Sequence, residues 1–403
     1  MTTMAAEDLL LQAPGERVLF ADDWRKELSR VLPLLPDGTL AVFTGRRSLD
    51  AGGVWAEFAA TAAAAGRKVV RFSEIEAEPC TDTVERMVEF LASVSPAAVI
   101  AIGGGSVMDA AKAALLVCES GMPLGELFGV NRYSTAHPKA KPLRVLCIPT
   151  TSGTGSEATP YSNIVDRKLG VKKLISESLI VPETAIVSPR LAAAMPKALT
   201  LATGCDALAH SIEGFLNTGA DANEPRANAW AMESIRLICE ALPAAMADGS
   251  NLEARGAMAR AATLGGMVIR FKSTGLPHLC SFSWFGRLAH GIAVAMLLPA
   301  SWNYYLGNPA VAARTMEFAP VFPGRTPQEV IASFRAFLDR LGVPKALREC
   351  PGITPELLAS TAASAGENRM KLELAPRPVP VAESRGILSA LLKQAYEGTL
   401  QSW

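Results

Sequence analysis

The first half of the chain alternates short apolar segments with longer alanine-rich segments. The apolar segments are rich in β-branched residues and lack the polar alternation of a strand with one exposed face. The segments between them, such as 53–65 and 83–94, are long enough to form helices. Buried strands separated by helices are typical of a parallel sheet covered on both faces. The expected strands are residues 39–44, 68–72, 97–102 and 144–148.

The second half of the chain has a different pattern. From about residue 200 onward, apolar residues recur at helical spacing in long segments. Proline interrupts this pattern at Pro243, Pro299, Pro309, Pro323, Pro344 and Pro355. The sequence therefore predicts a Rossmann-like α/β domain over residues 1–190 and an all-helical domain over residues 191–403. A ligand is expected in the crevice between two such domains.

The composition excludes several classes of protein. The chain has 39 Lys plus Arg and 39 Asp plus Glu, and 49% of its residues are hydrophobic. A neutral chain of this kind forms large cores and lacks the basic surface that nucleic acids require. Its seven cysteines include no CxxC pair, so we expect reduced, buried thiols. We find neither a membrane-spanning segment nor a signal peptide and expect a cytoplasmic protein without nucleic-acid or membrane partners.

Two loops that follow expected strands have the composition of ligand-binding loops. Gly103-Gly104-Gly105-Ser106 stands between a strand and a helix, where glycines let the backbone approach a ligand and free N–H groups suit a pyrophosphate. Residues 149–157 follow the next strand and supply five hydroxyl groups and two glycines. Each loop taken alone is also compatible with an ordinary turn.

One carboxylate and three of the chain's four histidines form a candidate metal site. Asp206 and His210 are four residues apart and therefore share one face of an expected helix. His278 and His290 lie twelve residues apart in a later helical stretch. These residue types are ligands of Fe²⁺ or Zn²⁺, and a metal bound by them polarises a carbonyl or alkoxide as a Lewis acid. Any one of these histidines alone is also compatible with a structural role in the core.

Together, these segments resemble the iron-containing (group III) alcohol dehydrogenase family. The resemblance runs from about residue 37 to the last residue of the sequence and rests on three motifs in the family's order and spacing. The motifs are the glycine triplet with Ser106, Asp109 and Lys112, the loop 149–157, and the segment 204–213. The resemblance implies a dinucleotide-binding α/β domain, a helical metal-binding domain, and hydride transfer between a nicotinamide and an alcohol or carbonyl carbon. It also implies a homo-oligomer, either a dimer or a larger ring.

The resemblance further implies roles for individual residues. The implied metal ligands are Asp206, His210, His278 and His290. The implied cofactor-binding residues are Gly104, Gly105, Ser106, Asp109, Thr150, Thr151, Thr154 and Lys172. Among these, Lys172 matches a lysine that the family places near the cofactor ribose.

The end of the first expected strand predicts the choice of cofactor. Where the family often carries an aspartate that accepts the adenosine ribose hydroxyls, this chain has Gly45, Arg46 and Arg47. A carboxylate repels a 2′-phosphate, whereas glycine leaves room for it and arginine offers charge-assisted hydrogen bonds. We therefore predict that NADP(H) is preferred over NAD(H). Two solvated surface arginines are the alternative explanation.

Two features depart from the family pattern. Phe282 stands where the commonest pattern has a histidine that helps to pass the proton, and phenylalanine cannot relay a proton, so the catalytic proton route is left unknown. Arg270 and Lys272 lie in a stretch that is mostly small or apolar in relatives and that lines the substrate end of their cleft. Two cations there predict an anionic biosynthetic substrate, unless both side chains point to solvent.

The leading hypothesis is a metal-dependent NAD(P) oxidoreductase that acts on CH–OH groups of a small-molecule or peptide substrate. One alternative is oxidative decarboxylation of a β-hydroxy acid such as the C-terminal threonine of a peptide, as in daptide biosynthesis. Another is reduction of phosphonoacetaldehyde. A dehydroquinate-synthase-like lyase would need additional Lys, Arg and His residues around its metal. A non-catalytic subunit that binds a peptide is an alternative of a different class, and the retention of all four candidate ligands argues against it.

Overall fold

The computed structural model describes residues 17–401. Packing divides the chain into two compact units. The first unit comprises the residues up to Lys197 together with Ala247–Met267, and the second comprises Ala198–Met246 and the residues from Val268 onward. The first unit therefore takes in a segment from the half of the chain in which the sequence predicts the helical domain.

A six-stranded parallel sheet forms the centre of the first unit. The strands of this unit are β1 (Arg17–Phe20), β2 (Leu40–Gly45), β3 (Val69–Ile75), β4 (Ala98–Gly103), β5 (Gly129–Val130), β6 (Val145–Pro149), β7 (Tyr161–Asp166), β8 (Val171–Ser176) and β9 (Thr184–Val187). The large sheet has the order β1-β9-β6-β4-β2-β3, and its neighbouring strands are parallel. A smaller sheet has the order β5-β8-β7, in which β7 and β8 are antiparallel. The predicted Rossmann-like parallel sheet is confirmed, and the four expected strands correspond to β2, β3, β4 and β6.

Helices cover both faces of the large sheet. The helices of the first unit are α1 (Trp24–Val31), α2 (Ser48–Ala51), α3 (Val54–Ala64), α4 (Thr81–Val94), α5 (Gly105–Ser120), α6 (Leu124–Leu127), α7 (Arg132–Ala136) and α8 (Pro189–Ala192). Successive residues of β2 contribute to different cores: Phe43 packs in a core with α4 and α5, whereas Val42 packs in a core with α1 and α3. Because side chains alternate between the faces of a strand, both faces of this strand are buried. This double burial explains why the sequence shows no polar alternation.

The second unit is helical. Its helices are α9 (Lys197–Leu216), α10 (Ala227–Ala247), α11 (Leu252–Lys272), α12 (Leu276–Ser281), α13 (His290–Tyr305), α14 (Pro309–Thr315), α15 (Pro327–Leu341), α16 (Pro355–Gly366), α17 (Arg369–Glu373) and α18 (Ser384–Glu397). Helix α11 begins within the first unit and continues into the second. The described residues of the second unit form no strand, which confirms the prediction of a helical domain. Within residues 17–401, no helix is both long and apolar enough to span a bilayer.

Proline has two different structural roles in these helices. Pro309 and Pro355 occupy the first turns of α14 and α16, where a missing N–H costs nothing. Pro243 and Pro299 lie inside α10 and α13, so the expected interruptions at these two positions are wrong. Both helices are largely buried, and the burial of their apolar side chains outweighs the cost of an internal proline, which is about 3 kcal/mol.

Candidate active site

The glycine-rich turn (residues 103–106) and the hydroxyl-rich loop (residues 149–157) of the first unit are in direct contact. They follow β4 and β6, which are neighbours in the sheet, so both lie at the carboxyl ends of parallel strands, where α/β sheets bind ligands. The N–H of Thr150 donates to the carbonyl of the last residue of β4 at 3.0 Å. A Cβ at Gly104 would lie 3.0 Å from Thr151 Oγ1, and one at Gly105 would lie 2.6 Å from Thr154 Cγ2. The absence of a Cβ at these two positions therefore allows the close approach of the loops.

A buried lysine fastens the hydroxyl-rich loop to helix α5. Lys112 has no exposed surface, and its ammonium donates to Ser156 Oγ at 2.8 Å, to the carbonyl of Thr159 at 3.0 Å and to the carbonyl of Tyr161 at 3.1 Å. It also donates to the carbonyl of Ser156. Burial lowers the pKa of Lys112, and the Asp109 carboxylate acts in the opposite direction. Lys112 therefore stabilises the hydroxyl-rich loop by attaching it to α5.

Two of the side chains expected to bind the cofactor form hydrogen bonds within the protein. The carboxylate of Asp109 accepts hydrogen bonds from Ser156 Oγ at 2.6 Å and from the N–H of Asn163 at 2.9 Å. Ser106 Oγ donates to the carbonyl of Ala77. These contacts make Asp109 and Ser106 part of the framework around the turn. The N–H groups at the start of a helix such as α5 are the groups that a pyrophosphate would contact.

Two other cofactor-binding predictions concern positively charged side chains. Lys172 on β8 forms an ion pair with Glu78 at 2.7 Å, and 9% of its side chain is exposed. Arg46 directly follows Gly45, the last residue of β2, and its Nε donates to the carbonyl of Glu74 at 3.4 Å while the side chain stays exposed. Arg46 thus lies at the same end of the sheet as the glycine-rich turn.

The structure brings together the four expected metal ligands in the second unit. Helix α9 carries Asp206 and His210, helix α12 carries His278, and helix α13 begins with His290. The Nε2 atoms of all three histidines lie 3.6 Å from Asp206 Oδ1. Among the described residues, the set whose donor atoms all lie within 4.8 Å of one another is Asp206, His278 and His290, and it does not include His210.

These distances fit one divalent transition metal. Metal–ligand bonds of about 2.1 Å in a tetrahedral site separate neighbouring donor atoms by about 3.4 Å, close to the 3.6 Å between each imidazole Nε2 and Asp206 Oδ1. A distance of 3.6 Å is too long for a hydrogen bond. Among residues 17–401, Asp206 Oδ1 and His278 Nε2 are buried and have no hydrogen-bond partner. A cation bound between them would satisfy both atoms.

Two hydrogen bonds orient the imidazoles for metal binding. Nδ1 of His278 lies 2.6 Å from Glu213 Oε1, and the other oxygen of this carboxylate accepts from the N–H of Gly275 at 2.6 Å. Nδ1 of His290 lies 3.2 Å from Ser281 Oγ, whose own proton is donated to the carbonyl of His278. Both Nδ1 atoms are therefore donors, which leaves the Nε2 lone pairs for a metal.

Glu213 and Ser281 are not among the residues expected from the sequence. Asp206, His210 and Glu213 follow the spacing of one face of α9, so the helical pattern contained a signal for Glu213 that the sequence analysis did not use. Ser281 has no such signal, because its contact with His290 depends on the turn between α12 and α13.

The charges of this cluster favour a bound cation. Burial lowers the pKa of His278, but the Glu213 and Asp206 carboxylates outweigh this effect and raise it to about 9. Burial raises the pKa of Asp206, whereas His210 and His290 lower it and keep the carboxyl ionised. A cluster that favours an additional proton in this way also favours a divalent metal in its place.

Phe282 borders the cluster. Its ring is nearly parallel to that of His290, with an angle of 20° and a centroid separation of 6.2 Å. The side chain is half-buried. It covers one side of His290 with apolar surface and supplies no group that can move a proton.

The two cations near the end of α11 differ in their surroundings. The ammonium of Lys272 donates to Asp221 Oδ1 and to Asn228 Oδ1, each at 2.6 Å, and its side chain has no exposed surface. This ion pair neutralises the charge, so the expected role of Lys272 in binding an anionic substrate does not agree with its contacts. Arg270 is half-buried, its guanidinium lies 5.0 Å from the ring of Phe271, and burial lowers its pKa.

The fold and the two sets of residues define a class of protein, the metal-dependent nicotinamide oxidoreductases. Residues 15–189 match the family model for iron-containing alcohol dehydrogenase, and residues 200–395 match the model for the C-terminal part of the Fe-containing alcohol dehydrogenase family. The chain belongs to the iron-containing alcohol dehydrogenase family and is an oxidoreductase that acts on CH–OH groups.

Individual relatives agree with this assignment. The chain is 36% identical to the NAD-dependent methanol dehydrogenase of Bacillus methanolicus over 276 residues, which cover 68% of this chain and 69% of that protein. It is 32% identical to alcohol dehydrogenase 4 of Saccharomyces cerevisiae (strain YJM789) over 336 residues, 82% of this chain and 84% of that protein. The structure of sulfoacetaldehyde reductase from Bifidobacterium kashiwanohense in complex with NAD⁺ is similar, with a TM-score of 0.78 and 26% identity, covering 94% of this chain and 98% of that chain.

Proposed function

We propose that the protein is an NADP(H)-preferring, metal-dependent dehydrogenase that transfers a hydride between the nicotinamide and an alcohol or carbonyl carbon of a small anionic substrate. The observation that carries the metal-dependent part is the convergence of three imidazole Nε2 atoms at 3.6 Å from Asp206 Oδ1. Asp206, His210, His278 and His290 would hold Fe²⁺ or Zn²⁺. The metal would act as a Lewis acid toward the substrate oxygen.

The other residues of the site would bind the cofactor or orient the metal ligands. The N–H groups at the start of α5 would bind the pyrophosphate of the cofactor, and Thr150, Thr151 and Thr154 would face the same ligand from the adjoining loop. Glu213 and Ser281 hold the imidazole rings of His278 and His290 in place. Phe282 lies beside the ring of His290 and has no group that can relay a proton. The substrate proton therefore leaves by a route that does not include position 282.

The metal content and the turnover of the purified protein test this proposal. We expect about one equivalent of Fe²⁺ or Zn²⁺ per chain and reduction of NADP⁺ by an alcohol in a panel of neutral and anionic alcohols. A chelator should remove both the metal and the activity, and added metal should restore both. Absence of bound metal together with absence of nicotinamide turnover on the whole panel would contradict the proposal and favour a non-catalytic binding protein.

The preference for NADP(H) is supported by the residues that follow β2. Gly45 offers no carboxylate to repel a 2′-phosphate, and the exposed guanidinium of Arg46 lies beside it at the same end of the sheet. Replacing Gly45 by Asp should lower kcat/KM for NADP(H) by at least about tenfold through like-charge repulsion. The same change should leave kcat/KM for NAD(H) equal or higher.

Steady-state kinetics with both cofactors measure this change. Arg46→Ala should lower kcat/KM for NADP(H) by about 10- to 100-fold, the value of one or two charge-assisted hydrogen bonds. Arg144→Ala, which removes an exposed arginine of the same unit, is the matched control. A clear preference of the unaltered protein for NAD(H) would contradict the proposed preference for NADP(H).

The anionic substrate is supported by Arg270 and by one structural relative. Arg270 lies in the last turn of α11, close in sequence to the metal-ligating helix α12, and it is half-buried. The reductase of sulfoacetaldehyde that resembles this chain is named for an anionic aldehyde. A sulfonate, a phosphonate aldehyde and a β-hydroxy acid such as a peptide C-terminal threonine all offer an anion that a guanidinium binds through two hydrogen bonds.

Arg270→Gln should lower kcat/KM for the preferred anionic substrate by about tenfold or more and should change turnover of a neutral alcohol of similar size by less than about twofold. Lys272→Met is the informative control, because its ammonium is bonded to Asp221 and Asn228. That variant should lose stability without a change in substrate preference. Equal losses on charged and neutral substrates in Arg270→Gln would remove the argument for an anionic substrate.

A further inference from the structure

A buried lysine in the second unit donates hydrogen bonds to neutral oxygens. Lys371 lies on α17 and is 7% exposed. Its ammonium donates to Ser273 Oγ at 2.8 Å, to the carbonyl of Thr274 at 3.0 Å and to Thr274 Oγ1 at 3.1 Å. Neutral acceptors offset only part of the cost of burying a charge, and lysine is rarely buried to this extent without a paired carboxylate.

The carboxylate that acts on this lysine is Glu213. Burial lowers the pKa of Lys371 to about 8, while the negative charge of Glu213 favours the protonated form. Glu213 is itself fully buried and binds the N–H of Gly275 and Nδ1 of His278. A buried carboxylate is costly unless a cation lies nearby. Lys371 and Glu213 therefore reduce the cost of burying each other.

Lys371 and Glu213 hold successive parts of one short segment. Lys371 binds Ser273 and Thr274, and Glu213 binds Gly275 and the imidazole of His278. This segment connects α11 to α12. Ser273 has a φ of 58°, in the left-handed region, which costs a residue with a Cβ about 1 kcal/mol. The turn thus needs support from outside its own backbone, and Lys371 provides it.

We propose that Lys371 is a positioning residue for the metal centre: it holds the turn before α12 and offsets the charge of Glu213, so that the carboxylate stays bonded to His278 and keeps Nε2 aimed at the metal. This inference rests on the proposed metal-dependent function. Lys371 touches neither the ligand atoms nor the metal position, and it acts through Glu213 and through residues 273–275.

Metal binding of a charge-free variant tests the proposal. Lys371→Met keeps the length of the side chain and removes the charge. Metal-free protein is titrated with Zn²⁺ in competition with a chelator and with Co²⁺ in the visible region. We expect a 10- to 100-fold loss of Zn²⁺ affinity, the usual effect of removing a group that orients a ligand, and a changed Co²⁺ absorption spectrum. Lys393→Met, on the exposed surface of the same unit, should match the unaltered protein in both measurements.

Two further variants extend the test, and the first of them keeps it informative if Lys371→Met does not fold. Thr274→Val removes one acceptor of the ammonium without burying a new charge and should weaken Zn²⁺ binding by about two- to fivefold. Lys371→Met combined with Glu213→Gln removes both charges, and its Zn²⁺ affinity should be higher than the product of the two single losses predicts. Such coupling would not follow from a general loss of packing.

The outcomes separate this inference from the proposed function. If the unaltered protein binds neither Zn²⁺ nor Co²⁺, the proposed metal-dependent function is overturned, and this inference with it. If the unaltered protein binds both metals and Lys371→Met binds them with unchanged affinity and an unchanged Co²⁺ spectrum, only the role of Lys371 is overturned. An unchanged affinity and spectrum in a folded Thr274→Val variant would count against it in the same way.

Discussion

Asp206→Asn is expected to lower kcat/KM by about a thousandfold and to abolish stoichiometric metal binding. Asp206 supplies the carboxylate oxygen from which all three imidazole Nε2 atoms lie 3.6 Å away. An amide oxygen is a neutral and weaker ligand, so the cluster loses its negative charge and most of its affinity for a divalent cation. The Lewis-acid assistance lost with the metal is several kcal/mol, which corresponds to about three orders of magnitude in rate.

Metal analysis and steady-state kinetics of the same preparation measure this effect. Asp339→Asn, the same chemical change at a partly exposed position of the second unit, should retain both metal and activity. Thermal unfolding should show that Asp206→Asn is folded, because the asparagine has the volume of the aspartate. An Asp206→Asn variant with one bound metal and full activity would show that the cluster is not the metal centre.

Lys112→Met is expected to lower the free energy of unfolding by about 3 kcal/mol and to raise the cofactor Kd by at least about tenfold. The change removes the ammonium that Ser156, Thr159 and Tyr161 share, and it leaves their oxygens buried without this donor. An unsatisfied buried acceptor costs about 1–3 kcal/mol. The hydroxyl-rich loop then loses one of its attachments to α5, which loosens its packing against the glycine-rich turn.

Urea denaturation and fluorescence titration with the reduced cofactor measure the two effects separately. Lys68→Met, at an exposed position of the first unit, should change neither. Lys112 is buried and is not one of the groups expected to contact the cofactor. It can affect cofactor affinity only by stabilising the hydroxyl-rich loop, so the loss of affinity should accompany the loss of stability. A Lys112→Met variant that is as stable as the unaltered protein would contradict the role of Lys112 as a support of the loop.

Local sequence patterns predicted most of the fold. The double burial of the inner strands leaves uninterrupted apolar segments, and this pattern located β2, β4 and β6, whereas β3 lies at the edge of the sheet and is only partly buried. The pattern failed at Pro243 and Pro299, which lie inside helices. Proline has an unfavourable local propensity, but the burial of a whole helix face outweighs it. Propensity is a property of a few neighbouring residues, whereas burial depends on the whole unit.

The sequence alone predicted which residues would bind a metal, because three of the chain's four histidines and one helical aspartate form a plausible ligand set that matches the family motifs. It also determined that Asp206 and His210 lie together, since residues four apart share a helix face. The roles of the remaining charges depend on contacts that form only in the folded protein. Lys272 is neutralised by Asp221, and Lys371 lies near Glu213. The two partners in each pair are far apart in the sequence, so their interaction depends on how the helices pack.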